Sequence, residues 1–433
     1  MEEIRVRFAP SPTGKVHIGN IRAAIYNWLY ARHTGGKFLL RVEDTDLERS
    51  TPEAIQVLFE CMQWLGLDYD EEVFYQTKNV KRHLEVVEQL IASGHAYKCE
   101  KTSRDGKTGT VVMFKMPKEG TIEFDDIVKG HMAKKAEDIQ DFAIVRSDGS
   151  PIFHIANVVD DIDQRVTHII RGDDHVENTF KHICIFKALG APVPKYGHLS
   201  MIVNAQGKPY SKRDGAAFVG EYREEGYLPE ALFNYLLLLG WNPGDDREVL
   251  TREEMIKEFD LEKVHVTAAK FDLKKLQWMN GEYIKQIPHD KFKEMLKAKV
   301  KVEGEGEEWW SYLANQVQIR TKFLKDLDQG LEYLWTDEFP VDEKAVEKRL
   351  KKDGAKAALE EVIELFKKVD NWLAPDLEAV VKNLSQGNGM GPWVHPIRVA
   401  VSGRGEGIGL FEMLQLLGKE TVLRRLENTA NRL

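Results

Sequence analysis

What most constrains this chain is a strand that passes into a helix near the N-terminus. Ile4, Val6 and Phe8 alternate with polar residues, which predicts a strand. Ala9-Pro10-Ser11-Pro12-Thr13-Gly14 then continues neither strand nor helix, because its prolines lack N–H donors and Gly14 frees the backbone. From Asn20 to about Arg32, the apolar residues Ile21, Ile25, Trp28 and Leu29 recur at helical spacing. His17, Gly19 and Asn20 therefore sit at a helix N-terminus, where unpaired N–H groups and the positive end of the helix dipole favour a phosphate. Gly19 lets a nucleotide approach the backbone, and His17 can donate to a phosphate oxygen. A solitary histidine at a helix start is more often structural, so a second element is needed.

That element is the glycine-flanked segment Asn204 to Gly215, in which Lys208, Lys212 and Arg213 fall close together beside Ser211. Alone it reads as a solvated basic turn. Paired with a helix N-terminus it suits a reaction that builds charge on the α-phosphate of a nucleotide.

The first part of the chain alternates strand and helix. A strand is expected near Phe38 to Val42, then a helix from Pro52 carrying Ile55, Leu58, Phe59, Met62 and Leu65, then one carrying Leu84, Val87, Leu90 and Ile91 and closed by Gly94. This βαβα pattern predicts a parallel sheet with ligands at the carboxyl ends of its strands. After Cys99 the pattern changes: Thr110 to Met116 and Thr121 to Phe124 read as short strands, so residues 99–141 are expected to form a small inserted subdomain. Parallel-sheet character is expected again at Phe142 to Arg146 and Val166 to Arg171, with a helix from Glu177 to Leu189. From Pro229 the chain reads as helical, with a Thr251 to Glu254 capping box and an apolar stripe at Ala355, Leu359, Val362, Phe366 and Val369. Gly403 to Gly409 has the look of a phosphate loop, but no strand precedes it, and it reads as an interhelical turn.

Composition excludes other classes. A net charge of -9 argues against indiscriminate coating of nucleic acid, while leaving room for a local basic face such as Lys129 to Lys135 or Lys344 to Lys352. Cys61, Cys99 and Cys184 are too few and too far apart for a disulfide framework or a Cys-x-x-Cys metal site, which fits a reducing cytoplasm. With a strand expected directly after Met1-Glu2-Glu3, no signal peptide is expected, and no apolar run reaches membrane-spanning length.

Three segments, Arg7 to Asn20, Arg41-Val42-Glu43-Asp44-Thr45-Asp46 and Ser211-Lys212-Arg213-Asp214-Gly215, closely resemble the signatures of bacterial glutamyl-tRNA synthetases. The likeness continues through Asn157 to Asp161, Ile170 to His175 and Tyr222 to Leu232, and covers nearly the whole chain. It implies an α/β class I synthetase with a Rossmann-like catalytic domain in two halves (1–98 and 142–190) and a shortened connective insert that meets the tRNA acceptor end (99–141). A signature-loop and stem-contact region (191–285) and an α-helical anticodon-binding domain (286–433) follow. The implied reaction joins L-glutamate to ATP as glutamyl-adenylate, then transfers the acyl group to the terminal adenosine of glutamate tRNA.

By motif position, His17, Gly19 and Lys212 are the implied catalytic residues, and Asn20, Asp174, His175, Ser211 and Arg213 join them around ATP. Arg7, Ala9, Ser11, Glu43, Phe153, Asn157 and Arg171 match the glutamate pocket, with the arginines holding carboxylates and Glu43 receiving the α-ammonium. Mg²⁺ is implied only through the ATP phosphates, with no structural zinc, and the implied protein is a cytoplasmic monomer. Three departures stand out: Phe153 where relatives often carry tyrosine, Asn20 where the signature often ends in a second histidine, and an insert without the cysteine-rich zinc knuckle of some relatives. Arg320 is expected on an apolar helical stripe with Trp309, Leu313, Val317, Leu324, Leu327 and Leu331, in a segment resembling the anticodon-reading helix. The rival readings are a noncatalytic tRNA-binding paralogue, a truncated relative that glutamylates a modified tRNA base, and a glutaminyl-tRNA ligase. The retained ATP-site residues oppose the first, and the helical C-terminal half opposes the other two.

Overall fold

The structure is a computed structural model, and it describes residues 3–46, 49–102, 108–387 and 389–433. Two compact units divide at Met279/Asn280.

In the first unit, β1 (Arg5–Phe8), α1 (Ile18–Thr34) and β2 (Lys37–Val42) make a βαβ crossover, with β1 and β2 parallel from Arg5↔Lys37 to Phe8↔Leu40. Strand β2 is buried along almost its whole length, as a central parallel strand covered on both faces must be. Helix α1 ends at Gly35, whose φ of 66° is readily available only to glycine. Helix α2 (Pro52–Leu65) follows, capped by the Thr51 side chain accepting from the Ala54 amide at 3.2 Å, and β3 (Phe74–Tyr75) pairs with β2 in parallel. Helix α3 (Val80–Ala92) leads to β4 (Ala96–Thr102), β5 (Thr108–Phe114), β6 (Thr121–Asp126), β7 (Gly130–Lys135) and β8 (Phe142–Val145).

The 99–141 segment does not close on itself. The β4/β5 hairpin joins β8, whereas the β6/β7 hairpin lies against a later strand in the order β7-β6-β10-β9. Strand β8 runs antiparallel to β5, with Phe114 opposite Phe142, and not in the parallel arrangement expected for Phe142 to Arg146. A short apolar run satisfies either pairing, and the neighbour is chosen by tertiary packing.

Helix α4 (Phe153–Asp163), β9 (His168–Gly172), α5 (Val176–Ala188) and β10 (Lys195–Leu199) complete the nucleotide-fold half, with β9 and β10 parallel over five residue pairs. Strands β1 and β9 lie side by side, since the Thr167 amide donates to the Arg5 carbonyl and the Arg5 amide to Thr167 Oγ1, each at 2.9 Å. Their carboxyl ends therefore open into one crevice where the chain order switches, the usual ligand position in such sheets. Leu39, Ile144, Ile155, Val158, Ile169, Ile183, Phe186 and Tyr196 pack into the core beneath it. Strand β11 (Ile202–Val203), α6 (Val219–Glu224), α7 (Pro229–Leu238), α8 (Arg252–Glu258) and β12 (Ala269–Lys270) follow, β11 pairing with β12. Helix α8 carries the capping box anticipated at Thr251 and Glu254.

Helix α9 (Leu273–Lys285) contains the boundary between the units. The second unit is helical: α10 (His289–Lys297), α11 (Glu307–Gln318), α12 (Glu343–Arg349), α13 (Ala355–Phe366), α14 (Ala374–Ser385), α15 (Gly391–Ser402), α16 (Leu410–Leu417) and α17 (Lys419–Arg432). Leu359, Val362, Phe366, Leu377, Ile397, Val401, Leu414 and Leu426 are buried in its core. Residues 403–409 lie between α15 and α16 as a turn. No described helix is long and apolar enough to cross a membrane.

Candidate active site

A cavity of about 660 Å³ opens at the carboxyl ends of β1, β2 and β9. Arg7, Ala9, Ser11, His17, Gly19, Asn20, Glu43, Phe153, Asn157, Arg171, Asp174 and His175 all line it. Residues separated by more than 150 positions are thus brought to one space by the parallel strands.

At one side lies the start of α1, where the amides of Ile18, Gly19 and Asn20 already have partners, so that the helix dipole and the His17 ring, not unpaired N–H groups, face the cavity. His17 is the N-cap of α1, and its Nδ1 accepts from the Gly19 amide at 3.0 Å. That bond leaves Nδ1 without a proton and puts the N–H of the neutral ring on Nε2. Burial lowers the His17 pKa, with the Tyr210 backbone pulling the other way, so the ring is neutral at pH 7. The two signature segments are stitched together here. Ile18 N donates to the Ala217 carbonyl at 3.0 Å, Val219 N to the Val16 carbonyl at 2.9 Å, and the His17 ring stands edge-on to Phe218.

The loop beyond Tyr210 behaves differently. Tyr210 lines the cavity, but Ser211, Lys212 and Arg213 do not. The Ser211 amide and hydroxyl donate to Asp214 Oδ2 at 2.9 and 3.0 Å, and Asn204 Nδ2 donates to Asp214 Oδ1 at 2.8 Å, which leaves Lys212 exposed on a tied-off turn.

At the other side lies a buried charge cluster. Asp161, fully buried, accepts from Arg7 Nε at 3.0 Å and from Arg41 Nη1 at 2.7 Å. Burial alone would raise the Asp161 pKa, but Arg41 and Arg7 outweigh it and hold the carboxyl below its usual range. Glu43 accepts from Asn157 Nδ2 at 2.6 Å and meets Arg41 Nη2 at 3.4 Å, and burial raises its pKa against the pull of both arginines. Arg171 is different. It is buried and donates to Thr179 Oγ1 at 2.7 Å and to the His175 carbonyl at 3.4 Å, yet among the described residues no carboxylate pairs with it. Desolvation pushes its pKa down to about 10. A buried guanidinium without a carboxylate partner is able to pair with an anion. Phe153 packs against the rings of His154, His175 and His182.

These features can be set beside known proteins. Residues 3–108 and 100–278 match the family described as tRNA synthetases class I (E and Q), catalytic domain, and residues 272–430 match the family described as anticodon binding domain. A glutamate–tRNA ligase of Francisella philomiragia is 41% identical over 99% of this chain and 99% of its own length. The chain belongs to the glutamate–tRNA ligase family. A relative of the same name from Symbiobacterium thermophilum is 38% identical over 98% of this chain and 99% of its own length. The crystal structure of a glutamate tRNA ligase from Elizabethkingia meningosepticum in complex with its amino acid superposes with a TM-score of 0.86 at 29% identity, covering 99% of both chains.

Sequence reasoning passed over two groups of this ligase-family site. Arg41 and Asp161 were quoted within motifs but given no role, although they form the centre of the charge cluster. Their signal is a charged residue inside an otherwise apolar strand or helix face, which must find a partner. Asp126, Thr179 and His198, all buried, carry no comparable signal in their local sequence.

Arg320 needs correction. Helix α11 ends at Gln318, and the Arg320 side chain is exposed with Nη1 donating to the Gln316 carbonyl at 2.8 Å. Leu324 lies in a short 3-10 turn at 324–326, so the expected stripe is not one helix. The Thr321 hydroxyl donates to the Val317 carbonyl at 2.9 Å, a local bond of the kind that competes with helix continuation. Arg320 is therefore a solvated residue just beyond the helix end and not part of a buried apolar stripe.

Proposed function

We propose that this cavity activates L-glutamate with ATP and that the resulting glutamyl group is passed to glutamate tRNA. The observation carrying the amino-acid assignment is Arg171, a buried cavity-lining guanidinium with no carboxylate partner among the described residues. The pairing within the cluster supports it: Arg7 and Arg41 are held by Asp161, and Arg41 also meets Glu43, which leaves Arg171 for a carboxylate of L-glutamate. Its γ-carboxylate pairs with Arg171 and the open edge of Arg7, and its ammonium faces Glu43.

An α-carboxylate oxygen attacks the α-phosphorus of ATP, forming the mixed anhydride as pyrophosphate leaves. Negative charge builds on the phosphate oxygens, where the positive end of the α1 dipole and His17 Nε2–H can meet it. Lys212 and Arg213 reach the same charge by movement of their exposed loop, with Ser211 beside them. Asn20, Asp174 and His175 line the nucleotide end, and Ala9, Ser11, Asn157 and Phe153 the amino-acid end. Mg²⁺ arrives on the ATP phosphates as part of the substrate. The terminal ribose hydroxyl of tRNA then attacks the acyl carbon and AMP leaves. Residues 99–141 meet the acceptor end and residues 286–433 read the anticodon, Arg320 among them. The enzyme acts as a cytoplasmic monomer, in keeping with the free cysteines Cys61, Cys99 and Cys184.

Glutamate-dependent exchange of pyrophosphate into ATP, run with and without glutamate tRNA, tests this reading. Exchange with glutamate but not with glutamine or aspartate is the expected result. No exchange in the presence of tRNA, with normal tRNA binding, would favour the noncatalytic paralogue.

A further inference from the structure

We propose that Asp126, His198 and Thr179 are positioning residues that fix the Arg171 guanidinium for its carboxylate, an inference that rests on the glutamate-pocket reading above. None of the three lines the cavity, and all are buried. They form a chain that ends on Arg171. Asp126 Oδ2 meets His198 Nδ1 at 2.5 Å, His198 Nε2 meets Thr179 Oγ1 at 3.0 Å and Arg171 Nε at 3.4 Å, and Thr179 Oγ1 accepts from Arg171 Nη2 at 2.7 Å. The Tyr196 ring stacks parallel to that of His198 and lies 5.8 Å below the guanidinium carbon, closing the remaining face.

The proton arrangement is determined by chemistry. Arg171 Nε only donates, so His198 Nε2 must carry a lone pair. The ring proton then sits on Nδ1, where the Asp126 carboxylate accepts it. A second proton would place two donors and two cations against each other, and burial keeps the His198 pKa down even with Asp126 beside it. Asp126 thus selects the tautomer that lets His198 accept from Arg171, as a buried carboxylate orients an imidazole elsewhere.

Asp126 also has a purely structural duty, since its Oδ1 accepts the amides of Val128, Lys129 and His198 at 3.0, 2.8 and 3.2 Å. The bonds from Val128 and Lys129 order the turn between β6 and β7, and the one from His198 ties β6 to β10. The experiment must therefore separate the turn from the relay. His198→Gln retains an amide oxygen near the place of Nε2 but loses the Nδ1 contact, whereas His198→Asn retains the contact with Asp126 and loses the acceptor. Asp126→Asn keeps the acceptor for the backbone amides, and its amide N–H drives the ring proton to Nε2.

In pyrophosphate exchange with tRNA present, His198→Asn and Asp126→Asn are expected to raise the KM for glutamate on the order of tenfold to a hundredfold, the range for one hydrogen bond to a charged group, with the KM for ATP within about twofold. His198→Gln should stay within about threefold of wild type for both substrates. Equal behaviour of His198→Asn and His198→Gln, or parallel changes in both KM values tracking a fall in Tm, would overturn the proposal. Arg171→Ala is the reference: if it leaves the glutamate KM unchanged, the pocket reading itself fails and takes the relay with it. If Arg171→Ala impairs glutamate binding while His198→Asn does not, the relay alone is wrong.

Discussion

Replacing Asp161 by asparagine removes the one carboxylate that Arg7 and Arg41 share. The side chains are 0% exposed for Asp161 and Arg41 and 4% for Arg7, so water does not compensate. At N–O separations of 3.0 and 2.7 Å, each pair carries about 6 kcal/mol of attraction at an effective dielectric near 20. Much of that offsets the desolvation of the carboxylate itself, and loss of one partner from a buried pair costs about 3–5 kcal/mol in total. For a unit of this size, about 2–4 °C in Tm corresponds to each kcal/mol, so the first unit should melt on the order of 10 °C lower. Thermal unfolding of wild type and Asp161→Asn at pH 7, followed by circular dichroism, measures this. The effect has a pH signature, because the folded-state pKa of Asp161 is depressed. Its contribution is present above the unfolded carboxyl pKa and is lost as pH falls through the folded value, so the two melting curves should converge in acid. A Tm change below about 2 °C at pH 7, or a difference that grows in acid, would refute the argument.

Lys212→Ala should leave Tm unchanged and slow glutamate-dependent pyrophosphate exchange about 100- to 1000-fold, the loss typical of one preorganised donor; near-normal exchange would remove this loop from the chemistry. Arg320→Gln should alter the ratio of charging of glutamate tRNA to glutamine tRNA with little effect on stability, since the side chain is exposed; an unchanged ratio in parallel charging assays would end that assignment. Burial pushes the His154 and His168 pKa values from 6.5 down to about 4, so the unfolded chain binds protons in that interval that the folded one does not. Stability should therefore be full above about pH 6.5 and fall toward pH 4, and His154→Gln should flatten the Tm profile there; a wild-type Tm that is level across the interval would contradict it.

Much of the site is legible in the chain because its chemistry demands local patterns. A phosphate-suited helix start needs a strand, a break and a capped helix in immediate succession, and His17 with Gly19 supplies it within a few residues. Likewise Arg7, Glu43 and Arg171 sit at the carboxyl ends of strands whose apolar pattern is strong, so their convergence follows from a parallel sheet, and Asn157 joins them from within α4. The loop cations are legible as residues, while their exposed placement outside the cavity is a property of how Asp214 ties the turn.

What tertiary structure alone decides is which partner a group receives. The short apolar run Phe142 to Val145 is consistent with a strand, but its antiparallel pairing with β5 depends on the competing neighbour available in space. The helical spacing through Arg320 was real, yet the helix stops at Gln318 because nearby side-chain bonds and the packing of the following turn outweigh propensity. Asp126, Thr179 and His198 lie on three separate elements, and nothing in their local sequence marks them. Only the lateral order of β6, β10 and β9 brings them onto Arg171, because hydrogen bonds between side chains act over about 3 Å and the chain encodes that proximity only through the whole fold.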